Sequence, residues 1–137
     1  MKSWIVILLC LSFTVQGSDN ISPKQKAEAF LEAVKTGNVA AGYDDLFAGS
    51  SIPADKPQSV AMLKQQTQTG LPIYGKVLGY ELIREEAFGD SVTRLVYLLK
   101  SEKHPTVWEF YFYKPESEWF LSNILFNDQF QLLEKKN

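Results

Sequence analysis

The ionisable side chains in the second half of the chain are the first candidates for chemistry. Glu109 stands between Trp108 and Phe110, which could keep water away from its carboxyl group. A carboxyl group in an apolar pocket is suited to proton transfer, and paired with Arg84 or Arg94 on a facing strand it could hold a polar ligand. The same pair on the outer face of a sheet would be a cross-strand ion pair that contributes little. Because one sequence does not fix the strand register, both interpretations stay open.

Aromatic residues form a second group of candidates. Six tyrosines carry a hydroxyl group on an apolar body, and Trp108 could form the wall of a pocket. Such residues more often pack in a core or an interface than bind a ligand. The predicted pocket residues, charged and aromatic together, are Tyr43, Tyr80, Arg94, Tyr97, Trp108, Glu109 and Tyr111.

The sequence lacks the residues that other kinds of catalytic or binding site would need. The only histidine, His104, precedes Pro105 in a short polar segment that predicts a turn, and a turn histidine is most simply a solvated side chain. The sequence contains no glycine-rich phosphate loop and no histidine or cysteine cluster with metal-ligand spacing. Neither a metal nor another cofactor is therefore predicted.

The N-terminal segment has the three parts of a secretory signal peptide. Lys2 supplies the positive charge, residues 4–13 are almost all apolar, and Gly17 stands just before a plausible cleavage point. The apolar run is shorter than the roughly 20 residues of a transmembrane helix. We therefore predict a signal peptide over residues 1–17, export to the periplasm or the exterior, and no membrane association after cleavage.

The single cysteine, Cys10, lies inside this apolar run. A lipid-modified signal has small residues just before its cysteine, whereas Leu8 and Leu9 stand here, which favours simple cleavage over a lipoprotein. Cleavage would leave a mature chain without cysteine. That chain could form no disulfide, no thiolate metal site and no cysteine nucleophile.

The mature chain is predicted to be one α+β domain over residues 18–137. Its 120 residues (137 less the 17 of the signal) are enough to bury a core in one domain. Loss of Lys2 takes the formal net charge from −2 to −3, and no basic stripe stands in the sequence. A nucleic-acid partner is therefore not predicted.

The first half of this domain predicts helices. Ser22 is a good N-cap before Pro23, and Gly37 ends the first helix. A second short helix and a third over residues 57–69 follow, with a loop over residues 48–56 between them. The inward positions are Ala27, Phe30, Leu31 and Val34, then Val39, Tyr43, Leu46 and Phe47, then Val60, Leu63 and Thr67.

The second half predicts four antiparallel strands. They cover residues 77–86, 91–101, 106–114 and 119–126, and the tail over residues 131–137 is polar enough to fray. Helices before a meander predict an α+β fold with N-terminal helices packed on one face of a strongly curved antiparallel sheet.

Both faces of this sheet carry apolar residues. Trp108, Phe110 and Phe112 point one way along the third strand, and Tyr111 and Tyr113 point the other way. Large exposed aromatic patches are uncommon on monomers, so we predict a homodimer through the second face. The alternative is that the tyrosines tolerate water.

Four stretches carry a resemblance to a known family. They are AEAFLEAV at residues 27–34, AGYDDLF at 41–47, GDSV at 89–92 and YKPESEWFL at 113–121, and they span nearly the whole mature chain. Their order resembles the nuclear transport factor 2-like superfamily of cone-shaped α+β domains, and in particular its small exported members without an assigned activity. The resemblance implies a cone-like bend of the sheet, with Trp119 opening the last strand after a turn.

Fold resemblance alone does not choose a function. The superfamily includes ketosteroid isomerases, polyketide cyclases and scytalone dehydratases, beside many non-catalytic modules. One hypothesis is an exported non-catalytic module that holds a small apolar ligand in the cone or binds a partner through the sheet. The other is an enzyme of the isomerase or cyclase kind that uses Glu109 or Glu81 as general base. The lack of an evident catalytic residue favours the first.

Overall fold

The described part of the chain folds as four helices followed by a four-stranded sheet. The computed structural model describes residues 20–134, so the predicted signal peptide lies outside the described residues. The helices are α1 (Pro23–Lys35), α2 (Val39–Leu46), α3 (Ile52–Asp55) and α4 (Pro57–Gly70). The strands are β1 (Val77–Phe88), β2 (Val92–Ser101), β3 (Thr106–Tyr113) and β4 (Phe120–Asn127), and 3₁₀ turns cover Leu71–Tyr74 and Phe130–Leu133.

The start of α1 follows the predicted capping pattern. The Ser22 hydroxyl accepts a hydrogen bond from the Gln25 amide at 3.2 Å, and the Gln25 side chain accepts one from the Ser22 amide at 2.9 Å. This reciprocal capping box, with Pro23 at the first helical position, satisfies amides that the helix itself leaves unpaired. Gly37, with φ of 84°, ends the segment as predicted.

The segment predicted as a loop contains one additional helical turn. Residues Ile52–Asp55 form α3, in which the Asp55 amide donates to the Ser51 carbonyl at 2.9 Å. Pro53 stands within its first two positions, where a missing amide costs nothing. A single turn of four residues carries no amphipathic repeat, which is why the sequence pattern did not show it.

The sheet is an open antiparallel meander in the order β1-β2-β3-β4. Its four strands confirm the predicted α+β class and the four predicted strand segments. One face carries Leu95, Tyr97 and Leu99 from β2, and these belong to one core cluster with the helices and with Trp108, Phe110 and Phe112 from β3. We call this the inner face and the opposite one the outer face.

Aromatic rings join α1 to the inner face. The Phe30 ring lies 5.5 Å from that of Trp108 and 5.8 Å from that of Phe110, and 4.7 Å from the ring of Tyr43 on α2. All four side chains are at most 1% exposed. Full burial of a large apolar side chain is worth roughly 1.5–3 kcal/mol, so this cluster holds the two layers together.

Three irregularities interrupt the strand pairing. The register shifts between Val77 and Gly79 and again between Leu82 and Arg84 on β1, and a third shift follows Tyr111 where β3 pairs with β4. At the β4 edge, the Asn123 side-chain oxygen accepts a hydrogen bond from the Ile124 amide at 2.9 Å. Bulges of this kind bend a strand and increase its twist.

The C-terminal strap, which we define as residues 128–134, lies on the outer face. The guanidinium of Arg84, whose partner on β2 is Val96, donates to the Leu133 carbonyl at 2.6 Å. Val96 is fully buried although it points away from the helices. The segment predicted to fray, residues 131–137, thus begins with a 3₁₀ turn whose Leu133 carbonyl is bound by Arg84 on β1, and residues 135–137 lie outside the described residues.

The described helices are all shorter or more polar than a membrane span requires. Among residues 20–134, no helix is long and apolar enough to cross a bilayer.

Candidate functional site

The sheet separates the seven predicted pocket residues into two groups. Four of them pack on the side of the helices, and three lie on the outer face, so they do not line one site. The inner group is Tyr43, Tyr80, Tyr97 and Trp108, and the outer group is Arg94, Glu109 and Tyr111.

The inner group fills the space between helices and sheet. Trp108 is fully buried, and its ring stacks on that of Phe126 at 4.4 Å with an interplanar angle of 12°. Its indole nitrogen donates to the Thr106 hydroxyl at 2.9 Å, which satisfies the one polar atom of the side chain. Trp108 is therefore part of the core rather than the wall of an open pocket.

Tyr43 has a buried hydrogen-bond partner on α4. Its hydroxyl lies 2.7 Å from that of Thr67, and the Thr67 hydroxyl donates to the Leu63 carbonyl at 2.8 Å. Since Thr67 has one hydroxyl proton and gives it to Leu63, Tyr43 is the donor of the pair. Burial raises the pKa of Tyr43 from 10.0 to about 12.

This raised pKa predicts a loss of stability in alkaline solution. The stabilising contribution of Tyr43 is complete below pH 10.0 and is lost as the pH rises towards about 12, because the unfolded chain deprotonates first. At roughly 1.4 kcal/mol per pKa unit, the loss approaches about 3 kcal/mol. We expect Tyr43→Phe to remove this part of the alkaline slope in urea unfolding measured between pH 9 and 12 (a range that brackets the shift). Coincident slopes of the two proteins would contradict the prediction, because they share every other titrating group.

Tyr97 and Tyr80 connect β1 and β2 to α1. The Tyr97 hydroxyl donates to the Glu28 carboxylate at 3.2 Å, and the two tyrosine rings meet edge to face at 6.1 Å. Burial, then the charges of Glu28 and Glu85, raise the pKa of Tyr97 well above its usual value. The hydrogen bond of Tyr97 to Glu28 holds α1 on the sheet. Because Tyr97 is fully buried, its hydroxyl has no access to a substrate in solution.

The outer group is built around one arginine. The Arg94 guanidinium donates to Glu109 at 2.9 Å and to Glu86 at 3.2 Å, and it lies 5.9 Å from the centre of the Tyr111 ring. The three charged side chains are 15–28% exposed. Burial alone would lower the pKa of Arg94, but the bond to Glu109 and the neighbouring negative charges raise it, so the guanidinium stays protonated.

Strand register explains why these side chains meet. Glu86 on β1 and Tyr111 on β3 stand directly opposite Arg94 on β2, whereas Glu109 pairs with Val96, two residues further along. Direct and diagonal neighbours on one face of a sheet are within reach of a long side chain. Of the two interpretations left open by the sequence, the structure therefore shows the cross-strand ion pair.

Neither proposed general base lies in an apolar pocket on the helix side. Glu109 is held by Arg94 on the outer face, and Glu81, opposite Leu98 on the same face, lies 3.3 Å from the Lys100 ammonium. Glu81 and Lys100 are about half exposed. Neither of these two carboxyl groups is therefore enclosed in the apolar surroundings that a general base would need.

His104 is more enclosed than the sequence predicts. Its Nε2 atom lies 2.8 Å from the Asp128 carbonyl, and its ring lies 5.7 Å from the rings of both Tyr74 and Phe130. The Tyr74 hydroxyl also donates to the Asp128 carboxylate at 2.7 Å. The turn histidine therefore anchors the C-terminal strap.

Sequence reasoning missed Glu28 and Glu86 as partners. Glu28 follows Ala27, at the border of the apolar stripe of α1, and a polar residue there can reach a group on the packed element. That position was the available signal. Glu86 offered none, because its role depends on the register that places it opposite Arg94.

Metal binding has no support among the described residues. Within residues 20–134, no three histidine, cysteine or acidic side chains come together in a way that could hold an ion. Of the seven predicted pocket residues, the four of the inner group belong to the core, and the three of the outer group belong to the ion-pair cluster on the sheet surface.

Comparison with known proteins gives no match. Neither a protein-family model, nor a curated protein, nor a solved structure resembles the chain significantly.

Proposed function

We propose that this protein is an exported, non-catalytic interaction module that associates with a second copy of itself through the outer face. The observation that carries the proposal is a set of uncovered apolar side chains on that face. Phe88, Tyr113 and Leu125 are 53%, 46% and 48% exposed there.

These residues surround the Arg94 cluster on neighbouring strands. Phe88 and Tyr113 both pair with Val92, so they stand on either side of it, and Leu125 on β4 stands opposite Glu109. The C-terminal strap lies towards the other end of the same face. The chain thus covers one part of its outer face and leaves the aromatic part to a partner.

A second copy is the partner that suits this surface. In a twofold interface the same patch meets itself, so a patch with a large charge would repel its copy. The exposed residues here are uncharged, and the Arg94 charge is already compensated by Glu86 and Glu109. Fully buried interface centres are rich in apolar and aromatic side chains, and Phe88, Tyr113 and Leu125 are of that kind.

The packing of the inner face favours this function over a ligand held inside the domain. Tyr97, Trp108, Phe110 and Phe112 are fully buried and occupy the space in which a small apolar ligand was predicted. A ligand there would have to displace core side chains. The outer positions of Glu81 and Glu109 likewise give the isomerase or cyclase alternative no supporting observation.

The proposal includes the cone-like bend implied by the superfamily resemblance. Helices that precede an antiparallel meander are consistent with it, and three register shifts in a four-stranded sheet supply the local bends that such a shape needs. Export rests on the N-terminal sequence pattern alone.

Sedimentation equilibrium of the purified protein tests the association. We expect a dimer with a dissociation constant of micromolar order, and Tyr113→Glu combined with Leu125→Glu should weaken it by more than tenfold, because two charges would enter the apolar patch. Met62→Glu is the matched control, since Met62 is 58% exposed on α4, away from the sheet face. A monomer at about 100 µM, or equal weakening by the control, would refute the proposal.

A further inference from the structure

The C-terminal strap is attached to the domain through its polar atoms. At its start, the Asp128 carbonyl lies 2.8 Å from Nε2 of His104, and the Asp128 carboxylate accepts a hydrogen bond from the Tyr74 hydroxyl at 2.7 Å. At its end, the Leu133 carbonyl accepts a hydrogen bond from the Arg84 guanidinium at 2.6 Å. The strap is therefore fixed at both ends by side chains that are distant in sequence.

Between these ends, the strap exposes two large apolar side chains. Phe130 is 36% exposed and Leu132 is 48% exposed, and both belong to the 3₁₀ turn of the strap. Single exposed apolar side chains are common on protein surfaces. A fixed segment that directs its polar atoms to the domain and its apolar side chains to solvent is, however, expected where a partner covers it.

The strap continues the apolar patch of the outer face. Leu125 belongs to that patch and lies on β4, which ends at Asn127, directly before the strap begins. The strap then crosses from the β4 edge of the sheet to Arg84 on β1, the other edge strand. The exposed apolar side chains on this side of the molecule are therefore Phe88, Tyr113, Leu125, Phe130 and Leu132.

Without the strap, the patch of Phe88, Tyr113 and Leu125 is small for a stable dimer. A stable interface buries about 800 Å² on each partner, and a large aromatic side chain has about 150–250 Å² to bury. Three side chains that are roughly half exposed therefore contribute about 300 Å². Further apolar surface has to come from a neighbouring part of the same face, and the strap offers it.

We propose that the strap forms the second half of the self-association surface, with Phe130 and Leu132 packed against the outer face of a second copy. Arg84 and His104 are positioning residues, which hold the strap in the conformation that the partner contacts. A second copy is the occupant because the strap and the patch form one continuous surface, which a twofold axis brings against its own copy. This role rests on the proposed self-association and adds the segment on which that association depends.

Sedimentation equilibrium of Leu132→Glu tests the role of the strap. The dissociation constant should rise about tenfold, because the substitution places a charge at a position that association buries. Met62→Glu, on α4, is the matched control and should leave the constant unchanged. If Tyr113→Glu with Leu125→Glu dissociated the dimer but Leu132→Glu did not, the role of the strap would be overturned and self-association would stand. A wild-type monomer would refute both.

Arg84→Gln separates a strap that binds the partner from one that only covers the face. It keeps every exposed apolar side chain but releases the end of the strap, so the dimer should weaken about threefold. Arg84→Lys keeps a donor and should restore part of the affinity. Lys100→Gln, which removes one positive charge from the same face at its pair with Glu81, should have no effect. An Arg84→Gln dimer as tight as the wild type, or tighter, would overturn the proposal, since a cover that leaves its place would not weaken association.

Discussion

Replacing Trp108 by alanine is expected to lower the free energy of unfolding by about 3–5 kcal/mol, which is the usual cost of removing a large buried aromatic side chain. Trp108 is fully buried between Phe30 and Phe126, and its indole nitrogen is hydrogen-bonded to Thr106. The substitution removes the contacts of the indole ring with Phe30 on α1 and with Phe126 on β4. Because domains of this size are stable by only about 5–15 kcal/mol, the variant should be close to unfolding.

Urea unfolding of Trp108→Ala beside Met62→Ala measures this effect. Met62 is 58% exposed, so its truncation should change the free energy of unfolding by no more than about 0.5 kcal/mol. Trp108→Phe keeps an aromatic ring against Phe126 and should lie between the two. A loss below about 1 kcal/mol for Trp108→Ala would mean that the inner face is not a packed core.

Replacing Arg94 by alanine is expected to cost about 2–3 kcal/mol. Removing one partner of a fully buried ion pair costs about 3–5 kcal/mol, and the 15–28% exposure of these side chains lets water screen part of that. The substitution would leave the carboxylates of Glu86 and Glu109 near each other without the guanidinium between them. Chemical unfolding at neutral pH measures the loss.

Two further variants separate the charge effect from lost packing. Lys100→Ala breaks a half-exposed pair with Glu81 on the same face and should cost at most about 1 kcal/mol. Replacing the three charges together, with Arg94→Met, Glu86→Leu and Glu109→Leu, should restore most of the stability, because no buried charge remains. If Arg94→Ala were no more harmful than Lys100→Ala, the outer cluster would be an ordinary surface network.

The helices and strands could be predicted from local signals in the sequence. Ser22 before Pro23, and Gly37 with its positive φ, mark the two ends of α1 because each residue type satisfies a specific backbone requirement. Turns such as the one at Gly89 mark the strand ends in the same way. These signals act over a few residues, so no tertiary information was needed.

The site could not be predicted in the same way, because it depends on register. Arg94 and Glu109 are 15 residues apart, and whether they share a face follows from turn geometry and bulges that the alternation pattern does not encode. In β2 and β3 both registers are apolar, so hydrophobicity did not distinguish the inner from the outer face. The bulges of β1 add a further shift that no sequence pattern showed.

Part of the apolar outer face is covered by a distant segment of the same chain, the C-terminal strap. Val96 and Val107 are almost fully buried, although neither belongs to the core shared with the helices. The C-terminal strap lies on this face, but its only large apolar residues are Phe130, Leu132 and Leu133, too few to predict a packed segment. Its position is fixed by Arg84 and His104, which are distant in sequence.

The register shifts of β1 and the side-chain cap on Ile124 have a consequence for how the protein can polymerise. The two edge strands of an open sheet, here β1 and β4, offer unpaired backbone groups. Strands of further molecules can pair with these groups one after another, as in a fibril. On β1 the regular spacing of those groups is broken twice, and on β4 the Ile124 amide is already occupied by Asn123. Growth by strand addition is thus disfavoured at both edges of the sheet.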